Sequence, residues 1–122
     1  MRVAGFGFRK AASLASLRDA LEAAGGGRDL VALATVAQKA ASPALLALAE
    51  EMKLPIHALD AEILAHISTP TRSDRVMARF GTGSVAEASA LAAAGTDAYL
   101  LAPRATSADG LAMAAIAERN TP

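Results

Sequence analysis

Apolar and polar positions alternate between two rhythms along this chain. Val3 to Phe6 is a short apolar run closed by Gly7, which reads as a strand. Leu14, Leu17, Leu21 and Ala24 then fall at helical spacing, with Ser13 as the cap and Gly25-Gly26-Gly27 as the stop. Leu30 to Val36 is a continuous apolar run, the signature of a strand buried on both faces. Ser42 and Pro43 open a second helix whose apolar face is Leu45, Leu48, Ala49 and Met52. Pro55 to Leu59 reads as a third strand, and Asp60 as the cap of a short helix carrying Ile63, Leu64 and Ile67. Ser68 to Arg72 reads as a loop, Ser73 to Phe80 as another short helix, and Gly81-Thr82-Gly83 as a tight turn. Ser84 and Glu87 have capping-box spacing on a helix running to about Ala94. Asp97 to Ala102 reads as a fourth strand, and Ser107 to Arg119 as a final helix with Leu111, Ala115 and Ile116 facing inward.

Strands that alternate with helices predict an α/β fold: a mostly parallel sheet flanked by helices on both faces, joined by right-handed crossovers. No internal repeat or linker divides it, so residues 1–122 are expected to form a single domain. In such sheets ligands bind beyond the carboxyl ends of the strands.

Composition narrows what such a site can do. At 122 residues the chain can bury a core without staples. It has no cysteine, which excludes disulfides, thiolate metal sites and thiol catalysis. Lys plus Arg number 12 and Asp plus Glu number 12, and a neutral chain of this kind is not a general binder of nucleic acid or membrane surfaces. One Tyr and no Trp leave few platforms for base stacking. The apolar start is too short and glycine-broken for a signal peptide, and no apolar stretch is long enough to span a bilayer, so a cytoplasmic protein is expected.

Within that neutral chain the charges are unevenly placed. Four loops are predicted to precede helices: Gly5 to Lys10, Gln38 to Ser42, Gly81 to Ser84, and Pro103 to Ser107. Three of them carry bases (Arg9 and Lys10, Lys39, Arg104) and none carries an acid. Glycines allow close backbone approach, and helix N-termini favour anions. Together they suggest a positive mouth for a carboxylate- or phosphate-bearing ligand. The same glycines and serines are what capping requires with no ligand, so spacing alone leaves both readings open.

Other chemistries find less support. Gly5-x-Gly7 begins like a dinucleotide fingerprint, but Lys10 stands at the third glycine, and no P-loop run exists. His57 and His66 fall on different predicted elements and suit structural roles better than a metal, so no metal or cofactor is expected. No serine has a nucleophile elbow or triad partners. Glu87 is the only acid near the proposed mouth, which makes it the best catalytic candidate if there is turnover.

Taken in order, the loops resemble the CobE / CbiG C-terminal family of cobalamin biosynthesis. Gly5-Phe6-Gly7-Phe8-Arg9-Lys10-Ala11-Ala12-Ser13 is similar to that family's opening Gly-x-Gly-Cys-Arg-Arg-Gly-Thr-Ser. Ala34-Thr35 to Lys39, with Ser42 to Ala49, resembles its second strand, lysine and helix. Gly81-Thr82-Gly83-Ser84-Val85-Ala86-Glu87-Ala88 matches its most specific signature, and Arg104 stands where the family usually has lysine. Phe8, Lys10 and Ala11-Ala12 depart from the pattern, which looks closer to the stand-alone branch than to the domain fused in CbiG. The resemblance implies a polycarboxylate precorrin or corrinoid tetrapyrrole as ligand, around ring contraction. Gly7, Phe8, Arg9, Lys10, Lys39, Gly81, Thr82, Gly83, Ser84, Arg104 and Ser107 would be its contacts. It raises two alternatives: cobalt-precorrin-5A hydrolase-like activity, although the CbiG N-terminal domain is not in this sequence, and an interaction subunit for another pathway enzyme. The partners it allows are the tetrapyrrole, other cobalamin-pathway enzymes and a second copy in a homodimer, with no nucleic acid and no membrane.

Overall fold

The computed structural model describes residues 1–120. Seven residues of β1 (Arg2–Phe8) are followed by α1 (Leu14–Ala23), β2 (Leu30–Val36) and a short turn of 3-10 helix, Ala37–Lys39. Then come α2 (Pro43–Met52), β3 (Ile56–Leu59), α3 (Ala61–Ala65), α4 (Asp74–Phe80) and α5 (Val85–Ala94). Two short strands, β4 (Tyr99–Leu100) and β5 (Ala105–Thr106), lead into β6 (Ala112–Glu118).

The strands form one sheet in the order β3-β2-β1-β6-β4, with β5 also paired to β6. β1, β2 and β3 are parallel, as the crossover helices require. β6 runs antiparallel to β1, β4 and β5, so it alone points against the rest. Helices α1 and α2 cover one face, where Phe6, Leu17, Leu33, Leu45 and Leu48 form the largest apolar cluster. On the other face α5 lies across the middle strands, with Val3, Ala32, Ala34, Ala90 and Ala94 between them.

The final segment corrects the sequence reading. Ser107 to Arg119 does not form a helix. Residues 112–118 are a strand paired along the whole of β1, from Arg2 opposite Glu118 to Phe8 opposite Ala112. Alanine propensity favours a helix, but an open edge on β1 leaves a row of backbone groups unpaired, and the ladder outweighs the propensity. The overlooked signal is Asp109-Gly110. Gly110 takes φ +75, and its N–H donates to Ser107 O at 2.9 Å, turning a hairpin. Ser107 therefore caps a hairpin: its Oγ donates to Asp109 Oδ1 at 2.6 Å and accepts from Ala112 N at 3.1 Å. Asp109 Oδ2 also accepts from Ser16 Oγ at 2.6 Å, which ties the hairpin to α1. These hydroxyl and amide donors, led by Ser107, hold the Asp109 carboxyl below its usual range.

Capping also departs in detail. Ser13 forms its box with Ser16. Ser42 and Asp60 stand at N-cap positions without a side-chain cap bond. Ser84 Oγ accepts from Glu87 N at 3.3 Å, but the Glu87 side chain turns elsewhere, so only half of the predicted box exists.

The alanines of α5 have a packing role. A Cβ on Gly5 would lie 2.1 Å from Ala86 O and 2.6 Å from Ala90 N, so β1 and α5 touch backbone to backbone. Gly5→Ala is expected to lower folding stability by about 3 kcal/mol in urea denaturation, because neither backbone can yield. Ser89→Ala on the same helix should be neutral or slightly stabilising, since the buried Ser89 Oγ has no partner to lose.

Candidate functional site

The carboxyl ends of β1 and β2 open into a cleft of about 300 Å³. Gly7, Phe8, Arg9 and Lys10 enter it from β1 and the loop that follows, and Lys39 from the turn after β2. Ser73, Arg75, Val76, Arg79 and Phe80 line it from α4 and its cap. Val85 and Ala86 bring the first turn of α5, and Arg104, Leu111 and Met113 complete the wall from the β4–β6 region. The cleft lies at the carboxyl ends of the strands, the end to which the sequence reading pointed.

The lining has a single sign of charge. Arg9, Lys10, Lys39, Arg75, Arg79 and Arg104 all border the cleft, and no Asp or Glu does. Among the described residues the ion pairs are Arg2 with Glu118 and Arg18 with Glu51, both elsewhere. In a chain of zero net charge, six bases converge without acids to balance them. Their mutual repulsion is partly relieved by aromatic faces. Lys39 Nζ lies 5.0 Å from the Phe8 ring centre, and Arg79 lies 5.3 Å from that of Phe80. The positive end of the α5 dipole adds to the field. Burial, then Arg79 and Arg75, pull the Lys39 ammonium below the usual lysine range.

The predicted residues divide into three groups. Gly7, Phe8, Arg9, Lys10, Lys39 and Arg104 come together in this cleft. Gly81, Thr82 and Gly83 instead line a second hollow of about 290 Å³, with His66, Arg72 and Met77. Ser84, Ser107 and Glu87 are buried and bonded to the protein. Glu87 Oε1 accepts from Thr71 N at 2.9 Å, and Oε2 accepts from Thr71 Oγ1 at 2.8 Å and from Arg104 N at 2.7 Å. The segment Pro103 to Ser107 holds the short strand β5 and leads into a hairpin rather than a helix, and Gly81 to Ser84 joins two helices. Sequence reasoning missed Arg75 and Arg79. Their i, i+4 spacing puts them on one face of α4, a signal lost by searching only the loops.

The family model for the cobalamin synthesis G C-terminus matches residues 2–117. The chain belongs to that family. It is thus a cobalamin biosynthesis protein of the CobE/CbiG type. Crystalline CobE, a protein from the cobalamin (vitamin B12) biosynthetic pathway, is 31% identical, with a TM-score of 0.85 over 100% of this chain and 92% of that one. Cobalamin biosynthesis protein chiG from Agrobacterium tumefaciens str. C58 is 32% identical, with a TM-score of 0.71 over 99% of this chain and 100% of that one. A Sulfolobus solfataricus protein, 20% identical with a TM-score of 0.69 over 95% of this chain and 36% of that one, shares the fold. No curated protein matches the sequence. Among the described residues, no helix is long and apolar enough to cross a membrane.

The electrostatics of this CbiG-type cleft can be read from stability alone. Lys39 has a folded-state pKa below its unfolded value, so its charge costs the fold stability at neutral pH. That cost disappears as pH rises through the folded pKa toward the ordinary lysine value. Lys39→Met is therefore expected to raise the urea midpoint of the free protein at pH 7, and the gain should shrink on moving to alkaline pH. A gain that persists or grows at high pH would assign it to packing instead.

Proposed function

We propose that this protein binds a polycarboxylate tetrapyrrole, a precorrin or corrinoid intermediate near the ring-contraction stage, by one edge of the macrocycle. The observation that carries this reading is the convergence of Arg9, Lys10, Lys39, Arg75, Arg79 and Arg104 on one cleft that has no acid. Such intermediates carry acetate and propionate groups around their rim, and guanidinium groups suit carboxylates because they bond them in a two-pronged fork. Phe8, Phe80, Leu111 and Met113 add apolar surface for the ring itself. At about 300 Å³ the cleft is at the small end of ligand pockets, which suits an edge rather than a whole macrocycle.

Binding is also the chemistry the lining groups can perform. No carboxylate, histidine or cysteine is among them, and the Ser73 hydroxyl already caps α4, accepting from Val76 N. Such a set, dominated by guanidinium groups, is suited to holding carboxylates. Glu87, the earlier candidate for that role, has both oxygens committed to Thr71 and Arg104.

Uroporphyrin, a porphyrin with acetate and propionate on every pyrrole ring, is a suitable probe. Titration followed by absorbance should give micromolar binding that weakens steeply with added salt. Arg75→Ala, Arg79→Ala and Arg104→Ala should each weaken it by about ten- to a hundred-fold, the range expected for one charge-assisted bond. The fully esterified porphyrin should not bind. No spectral change at micromolar protein, or binding indifferent to these arginines, would overturn the reading.

A further inference from the structure

Glu87 is buried completely, on a helix that has no surface of its own at that position. A carboxylate in such a place is costly unless its oxygens find donors. Its donors come from two segments far apart in the chain. Thr71 supplies its N–H and its hydroxyl, and Arg104 supplies its N–H. Each of these segments carries part of the basic wall. Thr71 precedes α4, which brings Arg75 and Arg79, and Arg104 is itself in the lining.

Outside this bond, the Arg104 segment is held by the two-residue pairing of β5 with β6, and α4 by the packing of Val76 and Phe80. No residue of α4 is fully buried. Its start is fixed by Ser73 N donating to Gly83 O at 2.8 Å, next to the Thr71 anchor. α5, by contrast, is clamped to β1 along the Gly5 contact. Glu87 is thus a fixed post on the helix clamped to β1, with Thr71 bonded to both its oxygens and Arg104 sharing Oε2.

We infer that Glu87 is a positioning residue that couples the two basic walls of the cleft, setting the spacing of Arg104 against Arg75 and Arg79. It acts through backbone, from behind the wall, without touching ligand. A glutamine there would turn an NH₂ toward a donor N–H in either orientation, and would replace the carboxylate that strengthens all three bonds with a neutral amide, so both walls lose part of their tie. That this spacing serves tetrapyrrole binding rests on the function proposed above; the coupling itself does not.

Hydrogen exchange on the free, full-length protein tests the coupling. In Glu87→Gln, amides of residues 71–80 and 104–106 should exchange at least about tenfold faster together, as expected for losing a bond to a charged group. Amides of α1 and β6 should keep their protection. Thr71→Val removes one hydroxyl donor without touching the core. It should loosen residues 104–106 as well as its own loop, a response at a distance that only a shared anchor explains. Ser89→Ala should change neither segment. Loosening of one segment alone, of the whole protein equally, or of nothing would overturn the inference.

Uroporphyrin titration then separates the two proposals. Where the wild type binds, Glu87→Gln should weaken binding about tenfold, and the loss should shrink when Arg104 is already alanine. An equal loss in both backgrounds would refute a role exerted through Arg104. A wild type that does not bind overturns the proposed function, while the exchange pattern still decides the coupling.

Discussion

The contact of α5 with β1 at Gly5 decides where most of the molecule sits. With no side chain at Gly5, the backbone of Ala86 comes within a distance that any Cβ would violate. That seating brings Val85 and Ala86 to the mouth of the cleft and puts Glu87 directly behind it. Glu87 in turn reaches the roots of two walls that arrive from opposite directions in the chain. A larger residue at Gly5, or bulkier residues at Ala86 and Ala90, would lift the helix and move all of these together. The abundance of alanine, which first looks like a compositional habit, is here the condition for that close approach.

The cleft illustrates a general tension between folding and binding. Six like charges around one opening work against the folded state, and the structure offsets them with aromatic faces rather than with acids. A carboxylate lining would have stabilised the free protein and competed with an acidic ligand. Keeping the acids elsewhere, in pairs such as Arg2 with Glu118 and Arg18 with Glu51, leaves the bases available. The Lys39 ammonium, lowered first by burial and then by Arg79 and Arg75, carries part of that cost.

Much of this was legible in the chain, for reasons that differ by element. The alternation through α1, β2 and α2 carries strong apolar periodicity and local stop signals, and those elements fall within a few residues of their expected positions. The end of the sheet that holds the cleft followed from topology alone, and with it Gly7, Phe8, Arg9, Lys10, Lys39 and Arg104. β6 was not legible because its alanines have helical propensity, while its strand pairing depends on a partner more than a hundred residues away. Arg75 and Arg79 were hidden by a different cause, since they approach the cleft from a helix flank rather than a loop. Glu87 has the right spacing for a capping box, so its local pattern gave no hint that its side chain answers to Thr71 and Arg104.

The reversed strand β6 has a consequence for the order of assembly. It fills the centre of the sheet, between β1 and β4, yet follows every other strand in the chain. While the protein is being synthesised, β1 to β3 can pair early through contacts that are close in sequence. β1 must then wait with one side unzipped until the last strand leaves the ribosome. During that interval the nascent chain presents a row of unpaired backbone N–H and C=O groups, with apolar side chains above and below, to any neighbour. The ladder at the centre of the sheet is thus the one whose partners are farthest apart in the chain, and its closure is left to the last strand.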